Sequence, residues 1–466
     1  MNATVLQTYP EYNHSELDHL YNTEMSHFNH KIIVLDDDPT GIQKVHDIYV
    51  YTDWDEASIL DGFQSDKQMF FILTNSRAFS KEKTKQVHED ITKRIEKISK
   101  QLNKPFIIIS RSDSTLRGHF PLETETIKQT LTTAADGEII IPFFKEGGRY
   151  TIDNIHYVQN DDVLVSAAET EFAQDRTFGF HSSHLGAYVE EKSNGAFKKE
   201  DVTYIQLDDL RALHIEKITN QLMNVNNFNK VVVNAISDND LKVFSISLIK
   251  ALTNGKQFLF RTAASFTKVI GHIADQELLS KNQMIQTNNT SGGLIIVGSH
   301  VNKTTQQLNK LLKLEAVKPI EFNSDLVLDE NLFEQEINKR ISEIDEYINQ
   351  GQTCVIFTKR ERLDLGEGMA ERELELSVKI SDGLTKIIKS LKSEPKYIIA
   401  KGGITSSEIG TTALGVSKAL VLGQALPGIP VWLTDRESKY PNMPYVIFPG
   451  NVGQITDLYT IAKNLE

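Results

Sequence analysis

Cysteine is almost absent from this sequence. The one cysteine, Cys354, excludes an intramolecular disulfide framework and a metal site built from several cysteines. It lies in the apolar run of residues 353–357, so we interpret it as a core residue rather than a nucleophile. This cysteine content is typical of a reducing compartment.

Long apolar runs are also absent. No stretch approaches the ~18 consecutive apolar residues of a membrane-spanning helix. Residues 1–30 lack the apolar core of a secretory signal. We therefore predict a cytoplasmic protein without a membrane partner.

Positive charge is in the minority. Lys and Arg number 50 against 63 Asp and Glu, which gives a formal net charge of −13. This balance disfavours nonspecific binding to nucleic acid, which needs a positive surface. An anionic small ligand would need local basic residues and backbone amides.

The organisation of the chain indicates an α/β protein. At 466 residues it exceeds the usual size of one hydrophobic core, and apolar runs alternate with amphipathic helical patterns. Such alternation predicts two α/β domains, each with a mostly parallel sheet flanked by helices. We predict an N-terminal lead-in (1–30), a first domain (31–280), a linker (281–293) and a second domain (294–466).

An acidic segment follows the first apolar run. Residues 36–41 read Asp-Asp-Asp-Pro-Thr-Gly directly after a predicted buried strand. Open α/β sheets bind ligands at such strand ends. Three adjacent carboxylates repel one another, so a metal, a basic side chain or a shared proton must offset their charge. We interpret this segment as a reaction centre rather than a solvated acidic turn.

Two further strand ends in the first half carry polar residues. Arg77 follows the run at 69–73, while Arg111 and Arg117 follow the run at 106–109. Arginine can bind a carboxylate with two hydrogen bonds, and nearby Asp, Ser and Asn suit a chain of hydroxyls. A polyhydroxylated acid would match, although Asp113 and Arg117 could instead form a local ion pair. The candidate substrate-binding residues are Thr40, Gly41, Asn75, Ser76, Arg77, Asp113, Ser114 and Arg117.

Glycine loops follow strands in the second half. Residues 401–408 combine a lysine, two glycines and hydroxyl residues before a predicted helix, which are the parts of a phosphate-binding loop. The spacings of a Walker P-loop and of a dinucleotide-binding fingerprint are absent. Three such loops in one half favour a nucleotide. The candidate ATP-binding residues are Gly298, Ser299, Lys401, Gly402, Gly403, Ile404, Thr405, Gly450, Asn451 and Gly453.

Together these segments resemble the motifs of the four-carbon acid sugar kinase family along the whole chain. Residues 37–41 look like its Asp-Asp-x-Thr-Gly, and residues 113–118 are similar to its Asp-Ser-Thr-x-Arg-Gly. Residues 402–406 and 449–453 resemble its nucleotide loops, and the pair Gly298-Ser299 matches its strand-end pair. Pro39 and Ile404 depart from the usual residues, and the region from Phe143 to His184 is longer than in compact members.

The resemblance implies ATP-dependent phosphorylation of a terminal hydroxyl on a four-carbon sugar acid such as threonate, erythronate or a 3-oxo-tetronate. It also implies that the first domain binds the acid, the second binds ATP, and the active site lies in the cleft between them. The expected cofactors are ATP and Mg²⁺, with unidentified metal ligands. A homodimer is a possible assembly.

The predicted mechanism assigns catalysis to two aspartates. Asp38, or otherwise Asp37, accepts the proton of the attacking hydroxyl, and Lys401 with the loop amides spreads the developing charge. Three alternatives stay open at this point, and one of them is a kinase that acts on a different small hydroxy acid. A magnesium-dependent phosphatase would use Asp36 or Asp38 as nucleophile, and a noncatalytic sensor would bind a metabolite without turnover.

Overall fold

The computed structural model describes residues 1–286, 288–361, 370–450 and 452–466. The chain divides into two compact units. Unit 1 comprises Met1–Val45 and Asp53–Asp275, and unit 2 comprises His46–Thr52 and Gln276–Glu466. Within the described residues, no helix has both the length and the apolar character needed to cross a membrane.

The strands are numbered in chain order. They are β1 (Lys31–Asp36), β2 (Ile48–Tyr51), β3 (Met69–Leu73), β4 (Phe106–Arg111), β5 (Gly137–Ile141), β6 (Arg149–Ile152), β7 (Ile155–Asn160), β8 (Val163–Ser166), β9 (Thr203–Ile205), β10 (Asn229–Val233), β11 (Phe258–Thr262), β12 (Leu294–Val297), β13 (Val317–Phe322), β14 (Thr353–Thr358), β15 (Ile398–Lys401), β16 (Lys418–Leu426), β17 (Ile429–Thr434) and β18 (Pro444–Phe448).

The α-helices are numbered in the same way. They are α1 (His14–Met25), α2 (Glu56–Gln64), α3 (Lys81–Leu102), α4 (Leu122–Thr130), α5 (Leu185–Lys192), α6 (Leu207–Arg211), α7 (Ile215–Met223), α8 (Asp238–Thr253), α9 (Ala264–Ile270), α10 (Lys281–Met284), α11 (Asn302–Leu311), α12 (Glu330–Asn349), α13 (Ala370–Ser390), α14 (Gly403–Glu408) and α15 (Asp457–Leu465).

Unit 1 is built on a parallel sheet with the strand order β3-β1-β4-β11-β5-β10-β9. Strands β1, β3 and β5 are buried along their whole length, as expected for a sheet covered on both faces. The register pairs Asp36 with Leu73 on one side and with Arg111 on the other. The loops after these three strands therefore start at the same edge.

Helix α3 shows how the sequence pattern produces the packing. Ser80 begins the helix by accepting a hydrogen bond from the Lys83 amide, and Val87, Ile91 and Ile95 form its buried face at helical spacing. Asn103 ends it in a left-handed conformation. The helix connects β3 to β4 through a crossover, which is why these strands are parallel.

An antiparallel sheet lies inside the long region that follows β5. Its order is β6-β7-β8, and it belongs to unit 1. Tyr188 and Phe180 from the same region pack with Leu116 in one core cluster. The region is thus folded onto unit 1 and reaches the loop that follows β4.

Unit 2 contains parallel strands in the order β13-β14-β12-β15-β18. Strands β17, β16 and β2 follow β18 in the same sheet, and each of them pairs antiparallel with its neighbour. The segment that includes β2 pairs with β16, so an early piece of chain completes the sheet of the second unit. Cys354 is buried in β14. Residues Leu279 and Met284, close to and within the predicted linker, lie in the core of unit 2.

Candidate active site

Asp36 ends β1 and is almost completely buried. Its Oδ1 lies 3.4 Å from Nη1 of Arg111, the paired residue at the end of β4. Burial raises the pKa of Asp36 to about 8, although Arg111 opposes the shift. Gly41 turns back over this carboxylate, and a Cβ at Gly41 would lie 1.9 Å from Asp36 Oδ2. The loop therefore requires glycine at this position.

Asp37 is held by a bidentate ion pair. Arg77 donates from Nε to Oδ2 at 3.2 Å and from Nη2 to Oδ1 at 2.6 Å. Burial raises the pKa of Asp37, and the Arg77 charge and hydrogen bonds partly offset this shift. The pKa of Arg77 lies well above its usual range because its aspartate partners outweigh the effect of its burial.

Asp38 is more accessible than its two neighbours, with 21% of its side chain exposed. Its Oδ1 accepts hydrogen bonds from the Thr40 amide at 2.8 Å and from the Thr40 hydroxyl at 2.6 Å. Arg77 Nη1 lies 3.4 Å from its Oδ2. Burial alone would raise the pKa of Asp38, but Arg77 and Thr40 together lower it. Asp38 is therefore an oriented, ionised carboxylate.

The loop after β4 carries a second acid with its own arginine. Arg117 Nε donates to Asp113 Oδ2 at 2.7 Å, and Thr115 donates to the same oxygen. Arg77 and Arg117 hold the pKa of Asp113 well below its usual range despite its burial. The ion pair considered at sequence level is present.

A buried network lies beneath these loops. Glu123 of α4 accepts hydrogen bonds from the Ser76 hydroxyl at 2.6 Å and from Arg261 Nη1 at 2.9 Å. Burial would raise the pKa of Glu123, but Arg261 and the other donors lower it to about 2. Arg261 also donates to the Arg117 carbonyl at 3.2 Å, so the network connects the loops after β3 and β4 with α4 and β11.

The other predicted substrate residues lie in the same loops. Asn75 is half-buried and left-handed, with a φ of 53°. Ser114 is buried, and its carbonyl accepts a hydrogen bond from His156 Nε2 at 2.7 Å. Ser76 is fully buried and is engaged with Glu123.

In unit 2, the loops after β12 and β15 are in contact. A Cβ at Gly298 would lie 2.3 Å from Thr405 Oγ1, and one at Gly402 would lie 3.0 Å from the Ser299 Cβ. Gly402 also has a φ of 121°, which side-chain-bearing residues rarely adopt. Both glycines are therefore required by the close approach of the two loops.

Lys401 ends β15 with its ammonium group turned inward. Its Nζ donates to the carbonyls of Pro449 and Gly450, and it lies 4.0 Å from the centroid of the Phe448 ring. Burial and the nearby Lys303 lower the pKa of Lys401 to about 7. These hydrogen bonds from the lysine connect the loop after β18 to the end of β15.

The loop after β18 completes the cluster. The Thr304 hydroxyl lies 3.4 Å from Ser299 Oγ and 3.2 Å from the Gly450 carbonyl oxygen. Gly403 and Ile404 begin α14, and the Ile404 side chain is 69% exposed. Gly453 has a left-handed φ of 82°. Asn451 lies outside the described residues.

Two family models match the chain. A sugar-binding N-terminal domain matches residues 32–270, and a nucleotide-binding C-terminal domain matches residues 294–458. The chain belongs to the four-carbon acid sugar kinase family. No functionally curated protein matches the chain.

Solved structures share the fold of this kinase-family chain. A Salmonella typhimurium LT2 protein provisionally named a tRNA synthase is 14% identical, with a TM-score of 0.66 over 93% of this chain and 98% of that chain. A Haemophilus influenzae protein from a family named only as a domain of unknown function is 16% identical, with a TM-score of 0.60 over 93% and 99%. At these identities the likeness is one of fold. The predicted family and the two-domain α/β fold class are confirmed.

The structure brings the predicted residues together in two groups, one in each unit. The acid-binding candidates meet at the ends of β1, β3 and β4, and the described ATP-binding candidates at the ends of β12, β15 and β18. Their roles, the domain boundaries and an active site between the domains stay predictions. Glu123 and Arg261 were not predicted from the sequence. Neither residue lies in one of the motifs named above, and the sequence around them does not indicate a buried ion pair.

The acidic cluster is neutralised by arginines. Arg111 contacts Asp36, and Arg77 contacts both Asp37 and Asp38. Among the described residues, no group of three or more His, Cys, Asp and Glu side chains is arranged to hold a metal ion. Of the three ways to offset the acidic charge, the structure uses basic side chains, and the raised pKa of Asp36 also favours a bound proton on that residue.

Proposed function

We propose that this protein is an ATP-dependent kinase that phosphorylates a terminal hydroxyl of a four-carbon sugar acid, of the threonate, erythronate or 3-oxo-tetronate type. The proposal depends above all on Asp38, an ionised and accessible carboxylate in the domain that matches a sugar-binding model. A carboxylate of this kind can accept a hydrogen bond from a sugar hydroxyl and orient its oxygen for attack.

The low pKa of Asp38 suits this reaction. In a largely dissociative phosphoryl transfer, the attacking oxygen has formed little of its new bond to phosphorus in the transition state, so its proton is only slightly more acidic and orientation of the hydroxyl matters more than strong basicity. Thr40 fixes the direction of the Asp38 carboxylate with two hydrogen bonds, and Arg77 keeps it ionised. We therefore assign Asp38 as the group that orients the hydroxyl and accepts its proton, with Asp37 fixing Arg77.

The glycine loops of the second domain support the proposal that this domain binds ATP. Gly298 and Gly402 allow close packing at two neighbouring strand ends, and Gly450 follows the third, in a domain that matches a nucleotide-binding model. Close backbone approach and exposed amides suit a polyphosphate. Lys401 holds the Gly450 loop through its carbonyl. The acidic cluster is already paired with arginines, so magnesium would enter with the phosphates of ATP.

The decisive assay is a coupled ADP-release screen over four- and five-carbon aldonic acids, with the matching alditols as controls. The proposal predicts ADP formation that requires both ATP and an acid. Phosphate release from sugar phosphates without ATP would instead indicate a phosphatase. Thermal stabilisation by an acid without any turnover would indicate a sensor.

A further inference from the structure

Arg149 differs from four other arginines of unit 1. Arg77, Arg111, Arg117 and Arg261 each lie within ion-pair distance of a carboxylate. Arg149 has no such partner among the residues that the structure describes. Its Nη1 donates to the Gly147 carbonyl, and its buried Nε has no hydrogen-bond partner. A half-buried cation without a counter-ion is costly, and an anion bound there would offset that cost.

Arg149 lies next to the predicted substrate loop. The guanidinium carbons of Arg117 and Arg149 lie 5.0 Å and 5.8 Å from the centroid of the same Phe172 ring. The carboxylate of Asp113 is close enough to influence the pKa of Arg149, but burial dominates and lowers it. Asp113 already binds Arg117. Of the two arginines beside Phe172, Arg149 is therefore the one whose guanidinium remains available to bind a ligand.

The backbone holds Arg149 in this place. It is the first residue of β6, and its amide and carbonyl exchange hydrogen bonds of 2.9 Å and 3.0 Å with Phe144. Gly147 makes room for the side chain, since a Cβ there would lie 2.6 Å from Arg149 Nη1. The position is therefore fixed by β6 and its turn rather than by a counter-ion.

We propose that Arg149 binds the carboxylate group of the sugar acid. This assignment rests on the proposed function, because it takes the acid to be the ligand of unit 1. A guanidinium can bind a carboxylate through two parallel hydrogen bonds, and Arg149 has no carboxylate partner among the described residues. Arg149 thereby gives the long region after β5 a role in selecting acids over neutral sugars.

The test is calorimetric titration of threonate and erythronate, without ATP, into the full-length protein and three variants. Arg149→Ala is expected to weaken binding of the better acid by about 10- to 100-fold. Arg149→Lys should restore part of the affinity, because it keeps the charge but not the two-donor geometry. Arg176→Ala, which removes an exposed arginine of the same region, should leave it unchanged.

The thermal unfolding of the ligand-free variants separates ligand binding from a structural role. Removing an unpaired cation should leave the melting temperature of Arg149→Ala equal to that of the wild type or higher. A fall in melting temperature that accompanies the loss of affinity would make Arg149 structural and overturn the assignment. Unchanged acid affinity in Arg149→Ala, or no binding of either acid to the wild type, would also overturn it. Acid binding without ADP formation would contradict the kinase proposal but leave this assignment intact.

Discussion

Arg77 binds Asp37 through two hydrogen bonds, with Nε 3.2 Å from Oδ2 and Nη2 2.6 Å from Oδ1. Its remaining nitrogen, Nη1, lies 3.4 Å from Asp38. One guanidinium therefore fixes two consecutive acids that differ in exposure. The buried Asp37 anchors the arginine, and Asp38 keeps 21% of its side chain exposed.

Replacing Asp38 with Asn tests its assigned role. The amide keeps the shape of the side chain but cannot accept a proton, so we expect the rate of phosphoryl transfer to fall about 10²- to 10⁴-fold. A single-turnover assay with saturating acid and ATP measures this step. Asp161→Asn, on an exposed turn, is the matched control. Transfer at near-normal rate in Asp38→Asn would remove Asp38 from the base role.

Replacing Thr40 with Ala tests the orientation of that carboxylate. The hydroxyl donates 2.6 Å from Asp38 Oδ1, so its loss should slow transfer by about tenfold, a smaller effect than that of Asp38→Asn. The same single-turnover assay ranks the two variants. A larger loss in Thr40→Ala than in Asp38→Asn would assign the hydroxyl a direct role with the substrate.

Glu123 should make stability depend on acid pH. Its pKa is about 2 in the folded protein against an ordinary value of 4.5, so its contribution is fully present above pH 4.5 and is lost as the pH falls toward 2. Glu123→Gln should lower the free energy of unfolding by about 3–5 kcal/mol at pH 7, because Arg261 loses its buried partner.

Denaturant unfolding at pH 7 and at pH 4 measures both effects of Glu123. The difference between wild type and Glu123→Gln should shrink at the lower pH. Glu125→Gln, on the same helix, is the control. A difference that stays constant across these pH values would show that Glu123 does not titrate as described.

Much of unit 1 could be predicted from local sequence. The apolar runs that form β1, β3 and β4 are separated by polar loops and one helical pattern, and periodicity alone places the loops at a common sheet edge. Asp38 and Thr40 are close in sequence, so contact between them could also be predicted locally. Long-range pairing is different, because nothing in the sequence around β2 indicates that it pairs with β16 more than 360 residues later.

The electrostatic roles within the site could not be predicted from sequence. Three consecutive aspartates look equivalent, yet the pKa of Asp36 is raised and that of Asp38 is lowered, because burial and arginine contacts differ by position. Glu123 resembles a surface residue at the start of a helix until Arg261 is seen beside it. Such distinctions depend on contacts between distant parts of the chain.

The contact between Gly298 and Thr405 can be tested by a double-mutant cycle. A Cβ at Gly298 would lie 2.3 Å from Thr405 Oγ1, so Gly298→Ala should displace the loop and weaken binding of ATP by about tenfold or more. Thr405→Ala removes that oxygen, and the double variant should recover part of the affinity. Calorimetric titration with a nonhydrolysable ATP analogue measures all four proteins. Strictly additive losses would contradict a steric coupling between the two loops.

Lys401 should make stability depend on pH in the same direction as Glu123, but in a higher pH range. Its pKa is lowered to about 7 from 10.5, so between these values the unfolded chain binds a proton that the folded protein does not. The free energy of unfolding should therefore rise with pH across this window, by about 1.4 kcal/mol per pH unit at most from this group. Lys401→Met should lose that part of the rise in denaturant titrations at pH 7, 8 and 9. An unchanged slope in the variant would contradict the lowered pKa.

The most direct test of the account is to identify where the γ-phosphoryl group of ATP goes. We predict that incubation with γ-labelled ATP and a four-carbon sugar acid transfers the label to the acid, and that ³¹P NMR shows a phosphate ester on its terminal hydroxyl. Asp38→Asn should form this product about 10²- to 10⁴-fold more slowly. Label found only as inorganic phosphate, or retained in ATP with every four-carbon acid, would contradict the assignment of this protein as a sugar-acid kinase.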